Sequence, residues 1–148
     1  MQARSQLPPL TRALSSDLSR ARDTATLMLE GTGLPLVQLP ALRERDLGPW
    51  AHEPRADFSD FHLFLTWHGA PPGAESQADI AARVLPCLAA LPEVEGNTLV
   101  VAHGGVLRVV LGLLDGVPLE DIGRNKVRNC EVLVRQTSPA AFAALHRG

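Results

Sequence analysis

The stretch TLVVAHGGVLRVVL, residues 98–111, runs apolar residues straight into His103, then Gly104 and Gly105, and continues in a helical apolar pattern. A histidine at the end of such a strand can donate, accept or carry a proton near neutral pH. Two glycines behind it permit a tight turn and let backbone N–H groups approach a ligand closely. Those N–H groups, with the positive end of the helix that follows, suit an anion such as phosphate. Taken alone, the residue reads equally well as a strand-end histidine that merely bonds a neighbour.

A second stretch, LSSDLSRARDTA, repeats the arrangement: a strand end, small polar residues, then a helix N-terminus with Arg20 in its first turn. The helix dipole repels a cation there, so the position calls for an anion or carboxylate nearby. An arginine fork beside unsatisfied helix N–H groups can grip phosphate oxygens in bidentate fashion. Arg22 reads instead as a solvated arginine on the helix face. In a third stretch, ALRERDLGPW, Glu44 follows a strand and stands between Arg43 and Arg45 before a glycine turn. A glutamate in a partly buried cleft can give or take a proton near neutral pH. The same string also fits an ordinary surface charge cluster.

These residues need elements to position them, and the chain supplies an alternation of strand-like and helix-like pieces. Short strands are predicted over 12–15, 35–39, 98–102 and near 130–135. Helical spacing over DLSRARDTATLMLEGTG places Leu18, Ala21, Ala25 and Leu29 on one stripe, with Ser16 or Asp17 at its start and Gly31 and Gly33 at its end. Ser76 followed by Asp79 predicts a capping box before a helix of about 15 residues on the stripe Ile80, Val84 and Leu88, with Pro86 kinking it or removing one hydrogen bond. A further helix is predicted over 105–115. Pro49 to Gly73 reads as an irregular excursion. Strands alternating with helices imply an α/β domain with a mainly parallel sheet flanked by helices on both faces. In such sheets ligands gather at the carboxyl ends of the strands, where His103 stands.

With 148 residues, 45% of them hydrophobic and 20% charged, the chain is long enough for one domain with a real core, and residues 1–148 are read as a single domain. A formal net charge of -2 without a basic block argues against nucleic acid or a membrane surface as partner. No apolar run approaches the roughly 18 residues of a membrane span. Cys87 and Cys130 lie far apart without a CxxC spacing and read as reduced thiols, which fits a cytoplasmic location. A dinucleotide site lacks its G-x-G-x-x-G fingerprint.

In this order, SSDLSRARDTA, LRERDLGPW, PPGAES and VVAHGGVLR resemble the histidine phosphatase superfamily, the phosphoglycerate mutase-like proteins, over roughly residues 12–135. The resemblance implies the family's mainly parallel sheet, no metal and no cofactor. It implies Arg20 as the second phosphate-clamping arginine and Glu44 as the general acid for the leaving oxygen. It also implies His103 as the second pocket histidine, assisted by the Gly104 backbone N–H. Ser16 is expected among the phosphate-binding residues. The partner is then a small phosphorylated metabolite or inorganic phosphate, with a second copy of the chain left open.

The chain departs from the family at one point. The family's nucleophile is the histidine of an Arg-His-Gly at the end of its first strand, and no Arg-His-Gly occurs in these 148 residues. His68-Gly69, behind Trp67 and without an apolar strand leading in, reads as coincidence. The expectation is a shortened version of a longer protein, lacking the family's first strand and helix and inactive as given. The alternative is a non-catalytic phosphate-binding or interaction protein. Within the family a phosphatase fits better than a mutase, because the cap region 51–75 is short. Its Phe58, Phe61, Phe64, Leu65 and Trp67 read as core packing, with an apolar substrate pocket as the other option.

Overall fold

The computed structural model describes residues 7–51, 61–129 and 131–148. The chain forms β1 (Leu10–Ser15), α1 (Ser19–Met28), β2 (Leu36–Gln38), α2 (Gln77–Ala89), β3 (Asn97–Val101), α3 (Gly104–Leu114), a short α4 (Leu119–Ile122) and α5 (Pro139–Arg147). Turns of 3-10 helix at Pro40–Leu42, Gly48–Trp50 and Phe61–Leu65 punctuate the long connection from β2 to α2.

The sheet of the described residues has three parallel strands in the order β2-β1-β3. The β1–β3 register sets Ala13 opposite Leu99, Leu14 opposite Val100 and Ser15 opposite Val101. Side chains alternate across a strand, so Ala13 and Leu14 point to opposite faces. Each meets its own core. Ala13 and Leu99 pack with Met28 and Leu29 of the α1 segment. Leu14 packs with Ile80, Val84 and Leu88 of α2, Val106 and Val109 of α3, and Ile122 of α4. Helices therefore cover both faces of a mainly parallel sheet, which is the architecture the alternating sequence implies.

The α2 N-terminus carries the capping box that Ser76 and Asp79 suggest. Ser76 Oγ accepts from the Asp79 N–H at 3.1 Å, and the Ser76 N–H donates to Asp79 Oδ2 at 2.9 Å. The helix runs through Pro86, which has no N–H to donate to the preceding turn, and ends at Ala89. Ser76→Ala is expected to cost about 1 kcal/mol, read as a lower urea midpoint at unchanged slope.

Two local expectations need correction. Neither Ser16 nor Asp17 is the N-cap of α1. Leu18 holds that position without a side-chain cap, because the Asp17 carboxylate is taken by Arg43. Residues 131–135, expected as a strand, are not paired into the sheet. An extended segment becomes a strand only where an edge pairs with it, and these residues find other anchors. Val132 packs against the Ala13–Leu99 core, and Arg135 donates to the Asp115 carboxylate at 2.7 and 2.9 Å, leaving Val134 exposed. Cys130 lies outside the described residues, and Cys87 is a half-buried free thiol. No described helix is long and apolar enough to cross a membrane.

Candidate active site

The three strings separated in sequence meet at the carboxyl ends of β1 and β3. His103 is the N-cap residue of α3 and is 5% exposed. Its Nε2 shares a 2.7 Å hydrogen bond with Ser16 Oγ, which also accepts from the Leu18 N–H at 3.3 Å. Ser16 is itself held by its N–H donating to the Val101 carbonyl at 3.1 Å. The parallel pairing of β1 with β3 thus brings residues 87 positions apart into direct contact. Ser16, expected among the phosphate-binding residues, is buried, and its hydroxyl shares its hydrogen bond with His103.

The two glycines after His103 serve different needs. A Cβ on Gly105 would lie 2.5 Å from Glu44 Oε1, so that residue must be glycine for the carboxylate to approach the helix. A Cβ on Gly104 would meet nothing within 4 Å, which leaves space beside its N–H at the cavity wall. Glu44 Oε2 accepts from the Gly105 N–H at 3.3 Å and Oε1 accepts from the Arg45 N–H at 2.7 Å. The Glu44 carboxylate therefore sits at the positive end of the α3 dipole. Arg20 lies in the first turn of α1, exposed, with no described carboxylate paired to it. Arg22 pairs with its neighbour Asp23 on the surface instead.

Burial holds the His103 imidazole below its ordinary value of 6.5, and the charges of Arg20 and Arg83 add to this against the opposing pull of Glu44. The folded protein thus resists a proton that the unfolded chain accepts. Stability contributed through this residue is full above pH 6.5 and falls as the pH drops through that value. Urea midpoints of the protein are expected to decline between pH 7.5 and 5.5 more steeply than those of His103→Gln. Equal slopes would remove His103 from the acid sensitivity.

Sequence reading missed the residues that hold Glu44 in place. Arg83 of α2 donates through Nε and Nη2 to the Glu75 carboxylate at 2.8 and 2.9 Å. It also donates to the carbonyls of Ala41, Arg43 and Glu44. Arg45 donates to the carbonyls of Glu75, Phe64 and Gly69 at 2.8, 2.9 and 3.3 Å and lies 4.5 Å over the Phe64 ring. Burial pulls its guanidinium down to about 10, with repulsion from Arg108 adding and Glu75, Glu44 and Asp79 opposing. Buried Gln77 donates to the same Phe64 carbonyl at 3.0 Å. The one available signal was spacing: Glu75 and Arg83 lie two helical turns apart across a capped N-terminus.

Of the cap residues, Phe64 is buried under Arg45 and, with Leu65, reaches the cavity. Trp67 packs against the main core. Phe58 lies outside the described residues, as does the side chain of Phe61. His68 is exposed and lines a separate shallow hollow with Trp67 and Leu119. The cavity of about 1490 Å³ that opens on His103 is lined also by Arg20, Glu44, Arg45 and Gly104. Among the described residues no cluster of His, Cys, Asp and Glu suits a metal ion.

Known proteins resemble this chain in sequence and in fold. A 2,3-bisphosphoglycerate-dependent phosphoglycerate mutase of Methylobacterium radiotolerans is 39% identical over 136 residues, covering 82% of this chain and 64% of that protein. The chain thus spans less than two thirds of the length of this relative. The mycobacterial glucosyl-3-phosphoglycerate phosphatase, solved with inorganic phosphate, superposes with a TM-score of 0.70 at 32% identity over 82% of this chain and 68% of that one. The alpha-ribazole phosphatase of Shigella flexneri gives 0.68 at 28% identity over 86% and 69%. The model of the histidine phosphatase superfamily (branch 1) matches residues 2–147, nearly the whole sequence. The order of the strings, the sheet that joins them and this match agree, and the chain belongs to the histidine phosphatase superfamily.

Proposed function

We propose that this chain carries the phosphate-binding and acid-bearing part of a phosphomonoesterase. In a longer form containing an Arg-His-Gly strand, it acts through a phosphohistidine. The nucleophilic imidazole attacks phosphorus, and the P–O bond to the leaving group breaks as Glu44 gives that oxygen a proton. Water then attacks the phosphohistidine, with Glu44 taking its proton back. Charge on the transferring phosphoryl spreads over its oxygens, so the fixed donors Arg20, His103 and the Gly104 N–H stabilise it. A phosphatase is favoured over a mutase by the short cap of residues 51–75. The substrate is a small phosphorylated metabolite.

The observation that carries this reading is the buried Ser16–His103 hydrogen bond with Glu44 on the adjoining Gly105 N–H, at the mouth of an arginine-lined cavity. That the mycobacterial neighbour was solved in complex with inorganic phosphate supports phosphate as a ligand of this fold. The lack of Arg-His-Gly in the 148 residues favours a second reading for the chain by itself, a protein that binds phosphate without turnover. The test is thermal unfolding with added orthophosphate beside an assay with an aryl phosphate. Orthophosphate is expected to raise the melting temperature, and turnover is expected to be negligible. Robust turnover abolished by His103→Ala would show the nucleophile to be His103. No stabilisation by orthophosphate would remove both readings.

A further inference from the structure

Asp17 stands at the threshold of α1 but does not cap that helix. A carboxylate in this place ordinarily accepts from the free N–H groups of the first turn and complements the positive end of the dipole. Here the N-cap is Leu18, no side chain caps the helix and its first turn holds no acid. Both Asp17 oxygens are taken by Arg43 instead, Oδ1 from Nε at 2.7 Å and Oδ2 from Nη2 at 2.6 Å. The pair joins the loop after β1 to the loop that carries Glu44.

Stability does not account for this choice. Side-chain exposures of 55% for Arg43 and 25% for Asp17 put the pair at the surface, where an ion pair contributes little. A capping aspartate contributes at least as much. The arginine is nevertheless aimed from a fixed base. Leu42 before it is buried in the core, its own N–H donates to the Pro40 carbonyl at 3.1 Å, and its carbonyl accepts from Arg83 Nη2 at 2.8 Å.

What the pair changes is the surroundings of Arg20. Two carboxylates stand three residues from Arg20, Asp17 before it and Asp23 after it, and side chains so spaced on a helix are neighbours. Each is held by another arginine, Asp23 by Arg22 and Asp17 by Arg43. Only Asp17 lies on the loop that carries Ser16, the partner of His103. Arg20 lines the cavity with Glu44 and His103, and its charge opposes protonation of that histidine. With Asp17 in the Arg43 fork, no described carboxylate neutralises Arg20.

We propose that Arg43 is a positioning residue of the phosphate pocket: its fork withholds the Asp17 carboxylate from Arg20 and so keeps that arginine open to a phosphoryl oxygen. This rests on the phosphate-pocket reading above and adds to it the residue that keeps an internal competitor out.

Titration calorimetry with orthophosphate on the 148-residue protein tests it. Arg43→Gln is expected to bind about fivefold weaker, the scale of one exposed ion pair that the ligand must now break. Asp17→Asn is expected to bind as the parent does, because its carboxylate is already withheld. The double variant Arg43→Gln/Asp17→Asn is expected to regain the parent affinity, since no carboxylate is freed. A mere brace between loops gives another pattern: Asp17→Asn weakens binding as much as Arg43→Gln, and the double variant restores nothing. A through-space effect of charge makes Asp17→Asn tighten binding by the factor that Arg43→Gln weakens it. Either pattern overturns the proposal. Melting temperatures within about 5 °C of the parent show the variants to be folded. If Arg43→Gln melts lower, Arg43→Lys takes its place, keeping the charge without the fork; weaker binding that Asp17→Asn restores is again expected, and its absence overturns the proposal. Orthophosphate that binds the parent and Arg43→Gln alike leaves the pocket intact and removes only the role of Arg43. Failure of orthophosphate to bind the parent removes the pocket and the proposal with it.

Discussion

Arg20→Ala is expected to remove most of the stabilisation that orthophosphate confers, while leaving the protein without phosphate as stable as before or slightly more so. The two effects have opposite signs for a physical reason. Arg20 stands in the first turn of α1, where the helix dipole repels a cation, and no described carboxylate offsets it. Its loss from the free protein relieves a repulsion worth about 0.3–1 kcal/mol. With a dianion bound, the same side chain makes charge-assisted hydrogen bonds worth about 1.5–3 kcal/mol. Its exposure puts it at the low end of that range, so affinity is expected to fall about tenfold or somewhat more. Melting temperatures with and without orthophosphate check both halves. A variant that phosphate stabilises as strongly as the parent would exclude Arg20 from the pocket.

Arg83→Met is expected to cost about 2–3 kcal/mol of stability. Arg83 ties α2 to the loop bearing Glu44 through the carbonyls of Ala41, Arg43 and Glu44, and also holds the Glu75 carboxylate. Removing it leaves Glu75 with one donor, the Asp46 N–H at 2.8 Å, and strands three carbonyls. Breaking a fully buried pair costs about 3–5 kcal/mol. Side-chain exposures of 26% and 22% for Arg83 and Glu75 reduce that figure. Arg83→Lys is expected to regain part of the loss, because an ammonium restores the charge pair but not the planar fork on the carbonyls. Urea midpoints of the two variants measure the difference. A loss below 0.5 kcal/mol in Arg83→Met, the range of ordinary surface changes, would show the clamp to be incidental.

Some of this was legible before any coordinates. The Ser76–Asp79 box, the stripe Ile80, Val84 and Leu88, and the apolar run into His103 are local patterns, and local patterns report local structure. β1, β3, α2 and α3 accordingly lie within a few residues of their expected bounds. The segment 131–135 has strand-like residues but no strand, because pairing depends on an edge elsewhere in the chain.

The sequence by itself determined the alternation of elements, the placing of His103 at a strand end and the candidate roles of Arg20 and Glu44, since residue type and spacing act within one turn or one strand. Only the tertiary structure decided what Ser16 does. Its hydroxyl faces His103 because β1 and β3 pair in parallel, which no spacing along the chain records. The same holds for Arg83 and Arg45. Long side chains reach across elements to carbonyls that any residue type presents equally, so nothing in the partner's identity announces the bond. The proposed role of Glu44 comes from its own sequence, while the loop that carries it is held by Arg83, far along the chain.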